Sequence, residues 1–596
     1  MKIYLKILTF LFFLLCFGTL FLNSSSFVNV QTSAKWYAFV FVSAAGLTTL
    51  AVYAIIANLK NQRNLHFKNL VLPVCLIITI LCFSQALYGI AQYMRLLPAI
   101  GNFKITGSFD NPAGFAACLC AGFPLFFYFL AKEKLWIQCV STVGMMAVVL
   151  AVLFSGSRAG MLALAVVGVA GFYHLFFLPQ WAQRISQWTQ RLVAGTLLAI
   201  LMTGFYFLKK DSADGRLLIW KCCWEMVKEK PLTGHGTGGF SAEYMNCQAR
   251  YFEKHPDSKY VMLADNVNRP FNEYAGLAVN YGLVGCLLFL FLAFVLIRAY
   301  RRNSGKTILT RIACWCLIAI AVFALFSYPL RYPFVWVMGL LSCGVIIWQW
   351  GMPHCLKRAL PVLILLLTPL VCIKSYNALR ADLKWCKIAR LALAGQTEQM
   401  LPEYKLLYSR LTLSDGVTWS HPVTNWNTVT NWNAVSNKRL FLYNYAAELN
   451  FAGHYEASLT IARECERLWA DYDLQMLMAD NCQKLKDYPQ AEHHYRRAAA
   501  MCPVKFMPLY QLAKIYDATG RKSEALALAE KIITKPIKIS SSTIIAIQRE
   551  MRQLIEEEKN NAPAPESRTS NQTQNTITTR QGETPDLPKS GKALPP

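Results

Sequence analysis

Long runs of apolar residues set the strongest limit on what this chain can fold into. They are concentrated in residues 1–375, and the chain is 55% hydrophobic but only 16% charged. A helix needs about 20 apolar residues to cross a bilayer, so the runs predict an all-α bundle of about eleven membrane spans. This pattern excludes a small secreted module, a disordered chain and a fibrous repeat. The spans are predicted at 5–22, 36–58, 69–93, 112–131, 135–156, 159–178, 192–208, 275–297, 309–330, 333–351 and 359–375.

The first run follows Lys2 and Lys6, as a signal peptide would. No small-x-small cleavage site precedes Asn23 and further runs follow, so we expect an uncleaved signal anchor.

Basic residues in the short loops predict the orientation of the bundle. With the N-terminus in the cytoplasm, sixteen Lys and Arg fall in short inner segments, against five in short outer loops: Lys35, Arg95, Lys104, Arg158 and Arg331. An odd number of spans then places the loop 209–274 and the chain after about 376 outside the cytoplasm. The net charge of +26 is explained by this topology, and we expect no nucleic-acid partner.

Residues 438–558 have the pattern of stacked helical hairpins. The segments AGHYEAS (452–458), KDYPQAE (486–492) and TGRKSEA (519–525) each predict a turn and the start of a second helix. Ala457, Ala491 and Ala525 recur every 34 residues, the period of tetratricopeptide repeats, where a small residue lets paired helices approach closely. The pattern predicts a periplasmic α-solenoid able to present a surface to a protein partner.

Two segments flank these repeats. Residues 376–437 are predicted to connect them to the membrane domain, with a degenerate hairpin near 391–400 and a loop at 412–437 that contains the duplication VTNWNT-VTNWNA. The tail 559–596 is rich in Pro, Thr, Gln and Ser, and this composition predicts disorder.

Ionisable residues at the span ends are the first candidates for chemistry. Arg158 in FSGSRAG and Arg331 in SYPLRYP both fall at outer ends, where a simple interfacial anchor is the alternative. In the outer loop, the sequence from Asp214 predicts a helix whose apolar face is formed by Leu218, Trp220, Trp224 and Val227.

A glycine-rich segment, TGHGTGGF (233–240), follows that helix. Its N–H groups suit phosphate binding, although no Gly-Lys-Ser/Thr follows and a tight reversal is the alternative. No metal-ligand spacing and no Gly-x-Ser-x-Gly occur, so we expect no metal and no other cofactor. Cys222, Cys223 and Cys247 would face an oxidising compartment, which allows one disulfide.

Four segments together resemble the O-antigen ligase/polymerase superfamily: GSFDNPAGFAA (107–117), SGSRAG (155–160), GRLLIWKCCWEMVKEKPLTGHGTGGF (215–240) and NEYAGLAVNYGLVGCLLF (272–289). The resemblance covers about residues 70–350. It implies a multi-pass protein of the bacterial inner membrane that transfers a glycan from an undecaprenyl-diphosphate carrier to an acceptor hydroxyl. The implied acceptor is a lipid A–core sugar, as in lipopolysaccharide biosynthesis, a growing polysaccharide, or a protein Ser or Thr.

The resemblance also implies site residues. Arg158 and Arg216 match the family's two functional arginines, which would bind the diphosphate without a metal. Phe271 stands where the family has a histidine, and a phenyl ring takes no proton. Either the base is another group, with Glu273, Asp265 and His235 as candidates, or departure of the diphosphate drives most of the reaction. Further substrate-binding candidates are Arg269, Arg331, His235, Gly236 and Asn272.

Three other functions fit parts of the sequence. A polysaccharide polymerase would share the same chemistry, and a non-catalytic anchor would only display the repeats. A transporter would show internal repeats and ionisable residues near the span centres, neither of which we find.

Overall fold

The computed structural model describes residues 2–59, 68–132, 134–174, 196, 204, 210–303, 307–350, 354–414 and 432–561. Within these ranges the chain forms helices joined by turns, without strands, so the all-α prediction is confirmed there. The helices before residue 175 are α1 (Lys2–Phe21), α2 (Ser33–Leu59), α3 (Lys68–Tyr93), α4 (Pro112–Gly122), α5 (Phe126–Leu130), α6 (Leu135–Ser155) and α7 (Arg158–Phe172).

The middle of the chain holds the loop predicted at 209–274, which we call the outer loop after its predicted side, and three further apolar helices. The loop contains α8 (Lys210–Glu229) and α9 (Gly239–Lys254), and the apolar helices are α10 (Glu273–Asn303), α11 (Ile308–Ala324) and α12 (Pro333–Trp350).

Seven helical segments in the described ranges are long and apolar enough to cross a membrane: Ile3–Phe21, Ser33–Ala57, Asn69–Tyr93, Pro112–Leu130, Leu135–Ser155, Glu273–Arg302 and Arg358–Arg410. They make this chain a multi-pass membrane protein. Three more apolar helices are shorter, at Arg158–Phe172, Ile308–Ala324 and Pro333–Trp348. The span predicted at 192–208 lies outside the described residues except for 196 and 204, so the number eleven stays a prediction.

Helix α4 is the centre of the bundle. It is buried from Gly114 to Gly122 and packs against α3, α6, α7, α11 and α12. Its half-buried N-terminus is capped by Asn111, whose Oδ1 accepts the N–H of Gly114 at 2.8 Å. The predicted span 112–131 is interrupted by a 3-10 turn at Phe123–Leu125, where Pro124 cannot continue α-helical hydrogen bonding. The end of α4 near Asn111 is therefore fixed at the core.

The outer loop has its own core between α8 and α9. The predicted apolar face of α8 is wrong at Trp224, which is 62% exposed. The buried side instead carries Cys222, Cys223 and Met226, because α9 packs against that side. Cys247 on α9 donates its thiol to the carbonyl oxygen of Cys222 at 3.5 Å, and all three loop cysteines are free thiols in the structure.

The C-terminal part begins with one long helix that leaves the membrane domain. Its helices are α13 (His354–Leu391), α14 (Thr397–Ser414), α15 (Trp432–Phe451), α16 (Tyr455–Glu466), α17 (Tyr472–Lys484), α18 (Tyr488–Met501), α19 (Met507–Ala518), α20 (Lys522–Thr534) and α21 (Ser542–Asn561). A kink at Gly395 (φ 90°) separates α13 from α14.

Three hairpins, α15–α16, α17–α18 and α19–α20, pack in succession, with turns at the three predicted positions. Ala491 and Ala525 are buried at these contacts, but Ala457 is exposed. Ser458 fills the interior position of the first hairpin, where its hydroxyl donates to the carbonyl oxygen of Ala446 at 2.7 Å. The strict 34-residue spacing is therefore shifted by one residue in the first hairpin.

The predicted flanking segments are only partly described. Helix α15 already begins at Trp432, so the end of the predicted loop 412–437 is helical, and 415–431 lies outside the described residues. Helix α21 extends to Asn561, and the rest of the predicted tail lies outside the described residues as well.

Candidate functional site

Five arginines lie at one end of the bundle, beside the outer loop. They come from the start of α7, from α8, from the segment before α10, from the turn between α11 and α12, and from the start of the C-terminal hairpins. They are Arg158, Arg216, Arg269, Arg331 and Arg439. Four of these were singled out from the sequence, and Arg439 was not.

Tyr328 lies at the centre of this cluster. The guanidinium carbon of Arg269 lies 5.2 Å from the centre of the Tyr328 ring, and the Phe271 ring meets it edge-on at 5.4 Å. The Tyr328 hydroxyl accepts a hydrogen bond from Asn111 at 3.3 Å, and its ring stacks on Tyr332 at 6.5 Å. Sequence reasoning missed Tyr328, although it lies in the quoted segment SYPLRYP.

Phe271 links Arg216 to this stack. The guanidinium of Arg216 lies 5.5 Å from the centre of the Phe271 ring, while its Nη1 donates to the carbonyl oxygen of Phe326 at 2.8 Å. Trp220, one helical turn after Arg216, donates to the carbonyl oxygen of Pro270 at 3.0 Å and holds this segment against α8. Phe271 therefore positions a cation where the family has a histidine.

Arg331 is held by an ion pair. Its Nη2 lies 2.9 Å from Oδ2 of Asp110, with the two side chains 26% and 22% exposed. The other carboxylate oxygen of Asp110 accepts the Tyr332 hydroxyl at 2.9 Å, and the carbonyl oxygen of Arg331 accepts Trp36 Nε1 at 3.0 Å. Sequence reasoning missed Asp110; an acid directly before an Asn-Pro helix start at a span end was the available signal.

The loop that leads to Asp110 is fixed by buried polar side chains. Gln92 accepts the N–H of Gly107 at 2.7 Å. Lys35 is fully buried and donates from Nζ to the carbonyl oxygen of Ser108 at 3.1 Å. These contacts position Asp110 before any substrate arrives.

Glu273 lies in the same cluster, and Asn272 supports it. Glu273 Oε1 accepts the N–H of Leu330 at 3.1 Å, in the turn that carries Arg331. Asn272 caps α10, since its Oδ1 accepts the N–H groups of Tyr274 and Ala275 at 2.9 and 3.0 Å. The structure therefore brings Glu273 together with the arginines and gives the Asn272 side chain a capping contact.

The glycine-rich segment lies against a kink in α10. His235 and Gly236 donate their N–H groups to the carbonyl oxygens of Val279 and Asn280 at 2.9 and 2.8 Å. His235 Nε2 lies 2.9 Å from the carbonyl oxygen of Met226, which is ten residues, or about 15 Å, along α8 from Arg216. These contacts make the segment a tight reversal, and its predicted role in substrate binding stays a prediction.

The two remaining sequence candidates lie at the edge of the cluster. Arg158 begins α7, and its Nη2 donates to Ser212 Oγ at 3.0 Å, across to the first turn of α8. Asp265 is exposed, and its Oδ1 accepts the N–H of Asn266 at 2.8 Å. Arg158 is thus adjacent to the helix that carries Arg216, while Asp265 faces solvent.

The C-terminal domain contacts the segment that carries Arg269. Asn266 Nδ2 donates to Asp471 Oδ2 at 2.8 Å, and Trp469 Nε1 donates to Asn268 Oδ1 at 2.7 Å. Helix α18 also packs against α9. The outer loop and the C-terminal domain therefore lie on the same side of the bundle.

The electrostatics of the cluster are those of an anion site. Burial lowers the pKa of Arg216 to about 10, and the charge of Arg158 acts in the same direction. Burial, then Arg331, lower the pKa of Arg269. Burial is the largest influence on Arg331 and acts to lower its pKa, but Asp110, Tyr332 and Tyr328 together outweigh burial, so the net shift is upward. The guanidiniums stay ionised near neutral pH and repel one another.

Among the described residues, no group of three or more His, Cys, Asp or Glu side chains is placed to hold a metal ion. The donor set of the cluster consists of guanidiniums, hydroxyls and amides, which suits phosphate oxygens.

Comparison with known proteins gives one match. The family model described as O-antigen ligase matches residues 113–290, from the first turn of α4 into α10. No curated protein and no solved structure matches the chain. The matched range contains Arg158, Arg216, Arg269 and Glu273, and it leaves out Asp110, Tyr328, Arg331 and the whole C-terminal domain. Residues 113–290 of this protein, which include Arg158, Arg216 and Arg269, are therefore similar to the O-antigen ligases.

Proposed function

We propose that this protein transfers a glycan from an undecaprenyl-diphosphate carrier to an acceptor hydroxyl on the outer face of the bacterial inner membrane. The observation that carries the proposal is the cluster of Arg158, Arg216, Arg269 and Arg331 at one end of the bundle, within and beside the O-antigen ligase match. An excess of partly buried cations calls for a multivalent anion.

The chemistry follows from the charges. The acceptor oxygen attacks the anomeric carbon, the bond from that carbon to the diphosphate oxygen breaks, and the leaving diphosphate takes the electron pair. Arg216 and Arg269 bind its oxygens with fork-shaped donors, and Arg158 and Arg331 add charge at the edges. Glu273, the candidate base that lies among the arginines, takes the acceptor proton on its carboxylate.

The membrane side is part of the proposal. Contact between the outer loop and the C-terminal domain supports their common location, independently of the number of spans. We infer a periplasmic location from the basic residues of the short loops. Alkaline phosphatase fused after residue 400 is expected to be active, and an active cytoplasmic reporter at that site would reverse the assignment.

The C-terminal hairpins are proposed to be tetratricopeptide-type repeats that bind a protein partner or acceptor. Their successive packing and the buried Ala491 and Ala525 support this reading. It favours protein Ser or Thr as acceptor over lipid A–core. Reconstitution with a lipid-linked glycan and each acceptor in turn, including the growing polysaccharide, separates the ligase, polymerase and protein-transfer reactions.

Arginine variants test the proposed reaction directly. Arg216→Ala and Arg158→Ala should each reduce transfer at least a hundredfold, about 2.7 kcal/mol on the barrier. Lysine at either position should restore only part of it, because an ammonium lacks the bidentate fork. Arg250→Ala is the control, since Arg250 pairs with Glu229 on the loop surface. Wild-type transfer by both alanine variants would refute the role of these arginines in binding the diphosphate, and no transfer by the wild-type protein with any acceptor would favour the non-catalytic anchor.

Glu273→Gln tests the base. The amide oxygen can still accept the N–H of Leu330, so the fold is kept while the proton acceptor is lost. We expect kcat to fall at least a hundredfold with little change in KM for the donor. An unchanged kcat would exclude Glu273 as the base.

A further inference from the structure

Arg439 brings the C-terminal domain to the edge of the arginine cluster. Its guanidinium carbon lies 5.2 Å from the centre of the Trp469 ring. Trp469 is buried, and its indole N–H donates to Asn268, the residue directly before Arg269. Arg439 and Arg269 thus lie on either side of one contact between the two domains.

The protein does not satisfy all the hydrogen-bond donors of the Arg439 guanidinium. Arg439 Nε is buried without a hydrogen-bond partner. In the described part of the chain, the guanidiniums of Arg439 and Arg269 each contact an aromatic ring and form no ion pair. A guanidinium carries five N–H donors, and leaving a buried one such as Arg439 Nε without an acceptor costs free energy. An acceptor from outside the protein would remove that cost.

The charges around Arg439 agree with this geometry. The pKa of Arg439 is lowered to about 10, chiefly by burial and then by the charges of Arg269 and Arg331, while Asp471 acts in the opposite direction. The Asp471 carboxylate is already engaged by Asn266 and by the N–H groups at the start of α17. Arg439 therefore lies near Arg269 and Arg331, which also lie beside Tyr328. In the described part of the chain, Arg439 forms no ion pair with a carboxylate that would offset this repulsion.

We propose that Arg439 binds the diphosphate of the donor together with Arg269, so that the C-terminal helical domain supplies one wall of the donor site. This inference rests on the proposed function and extends it, because Arg439 lies outside the segment similar to O-antigen ligases. The donor site is then complete only while the C-terminal domain is docked on the outer loop.

The experiment uses the full-length protein in nanodiscs, with inorganic pyrophosphate as the probe and calorimetry as the readout. Arg439→Ala should weaken pyrophosphate binding at least tenfold and raise KM for the lipid-linked donor by a similar factor. The pyrophosphate affinity of Arg439→Lys should lie between those of the wild type and Arg439→Ala. Arg496→Ala is the matched control, because Arg496 lies in the same domain, is 60% exposed and pairs with Glu492; its affinity should stay within twofold of wild type.

The outcomes separate this inference from the proposed function. If Arg216→Ala loses pyrophosphate binding while Arg439→Ala keeps it, the assignment of Arg439 is wrong and the proposed function stands. If both variants bind as wild type does, both fail. If Arg439→Ala does not fold, Arg439→Gln decides, since glutamine keeps polar packing without charge: tenfold weaker binding supports the inference, and unchanged binding overturns it.

Discussion

Replacing Phe271 by leucine should weaken catalysis by releasing Arg216. The substitution keeps apolar volume but removes the ring that lies 5.5 Å from the guanidinium and 5.4 Å from Tyr328. A cation–π contact contributes about 0.5–2 kcal/mol and an edge-on aromatic pair about 0.5–1.5 kcal/mol. A combined loss of about 2 kcal/mol corresponds to about a 30-fold fall in kcat/KM. The hydrogen bond to Phe326 then remains as the contact that orients Arg216.

The assay is glycan transfer by the reconstituted protein. Phe271→Tyr keeps the ring and should stay within threefold of wild type. Tyr251→Leu is the matched control, because it removes a comparable ring lying 4.9 Å from Lys221, away from the cluster. The reasoning is refuted if Phe271→Leu transfers as well as Phe271→Tyr, or if the control loses as much activity as Phe271→Leu.

Three further predictions concern stability, measured by thermal unfolding of the full chain in detergent. Asp110→Asn removes the partly exposed ion pair with Arg331 and should lower the free energy of unfolding by about 1–2 kcal/mol. An unchanged melting temperature would contradict this. Burial lowers the pKa of His494 to about 4, so below about pH 6.5 the unfolded chain binds a proton that the folded chain does not. The free energy of unfolding should therefore fall by up to about 3 kcal/mol between about pH 6.5 and 4, and His494→Gln should flatten that dependence. Gly234→Ala places a Cβ 2.5 Å from a backbone atom of α10 and should prevent stable folding. Gly101 has a similar φ but open space around it, so Gly101→Ala should lower the free energy of unfolding by only about 1–2 kcal/mol.

The apolar runs predicted the seven described helical segments that are long enough to cross a membrane, but not which helix is central. Helix α4 and the middle of α10 are both apolar, yet α4 is buried from Gly114 to Gly122, while Leu287, Leu290 and Phe291 on α10 are exposed. Lipid tails are as apolar as leucine, so no contrast between polar and apolar faces marks the side that packs against protein. The position of α4 follows from tertiary packing.

The arginines at the span ends could be predicted, because a charged residue contrasts with the apolar residues around it. Charge near an apolar run is costly, so Arg158 and Arg331 stand out in the sequence. Their partners do not: Asp110 lies more than 200 residues before Arg331, and Arg439 comes from another domain. Aromatic residues such as Tyr328 are common at membrane interfaces, so nothing local distinguishes one that organises a site.

Helix α13 connects the C-terminal domain to the membrane domain without a break. It runs for 38 residues, about 57 Å, which is nearly twice the thickness of a bilayer core. Asp382 on α13 accepts the hydroxyl of Tyr37 at 2.8 Å, and the neighbouring Trp36 touches the backbone of Arg331. These contacts connect α13, through the start of α2, with the turn that carries Arg331, so a force that tilts the C-terminal domain would reach that turn.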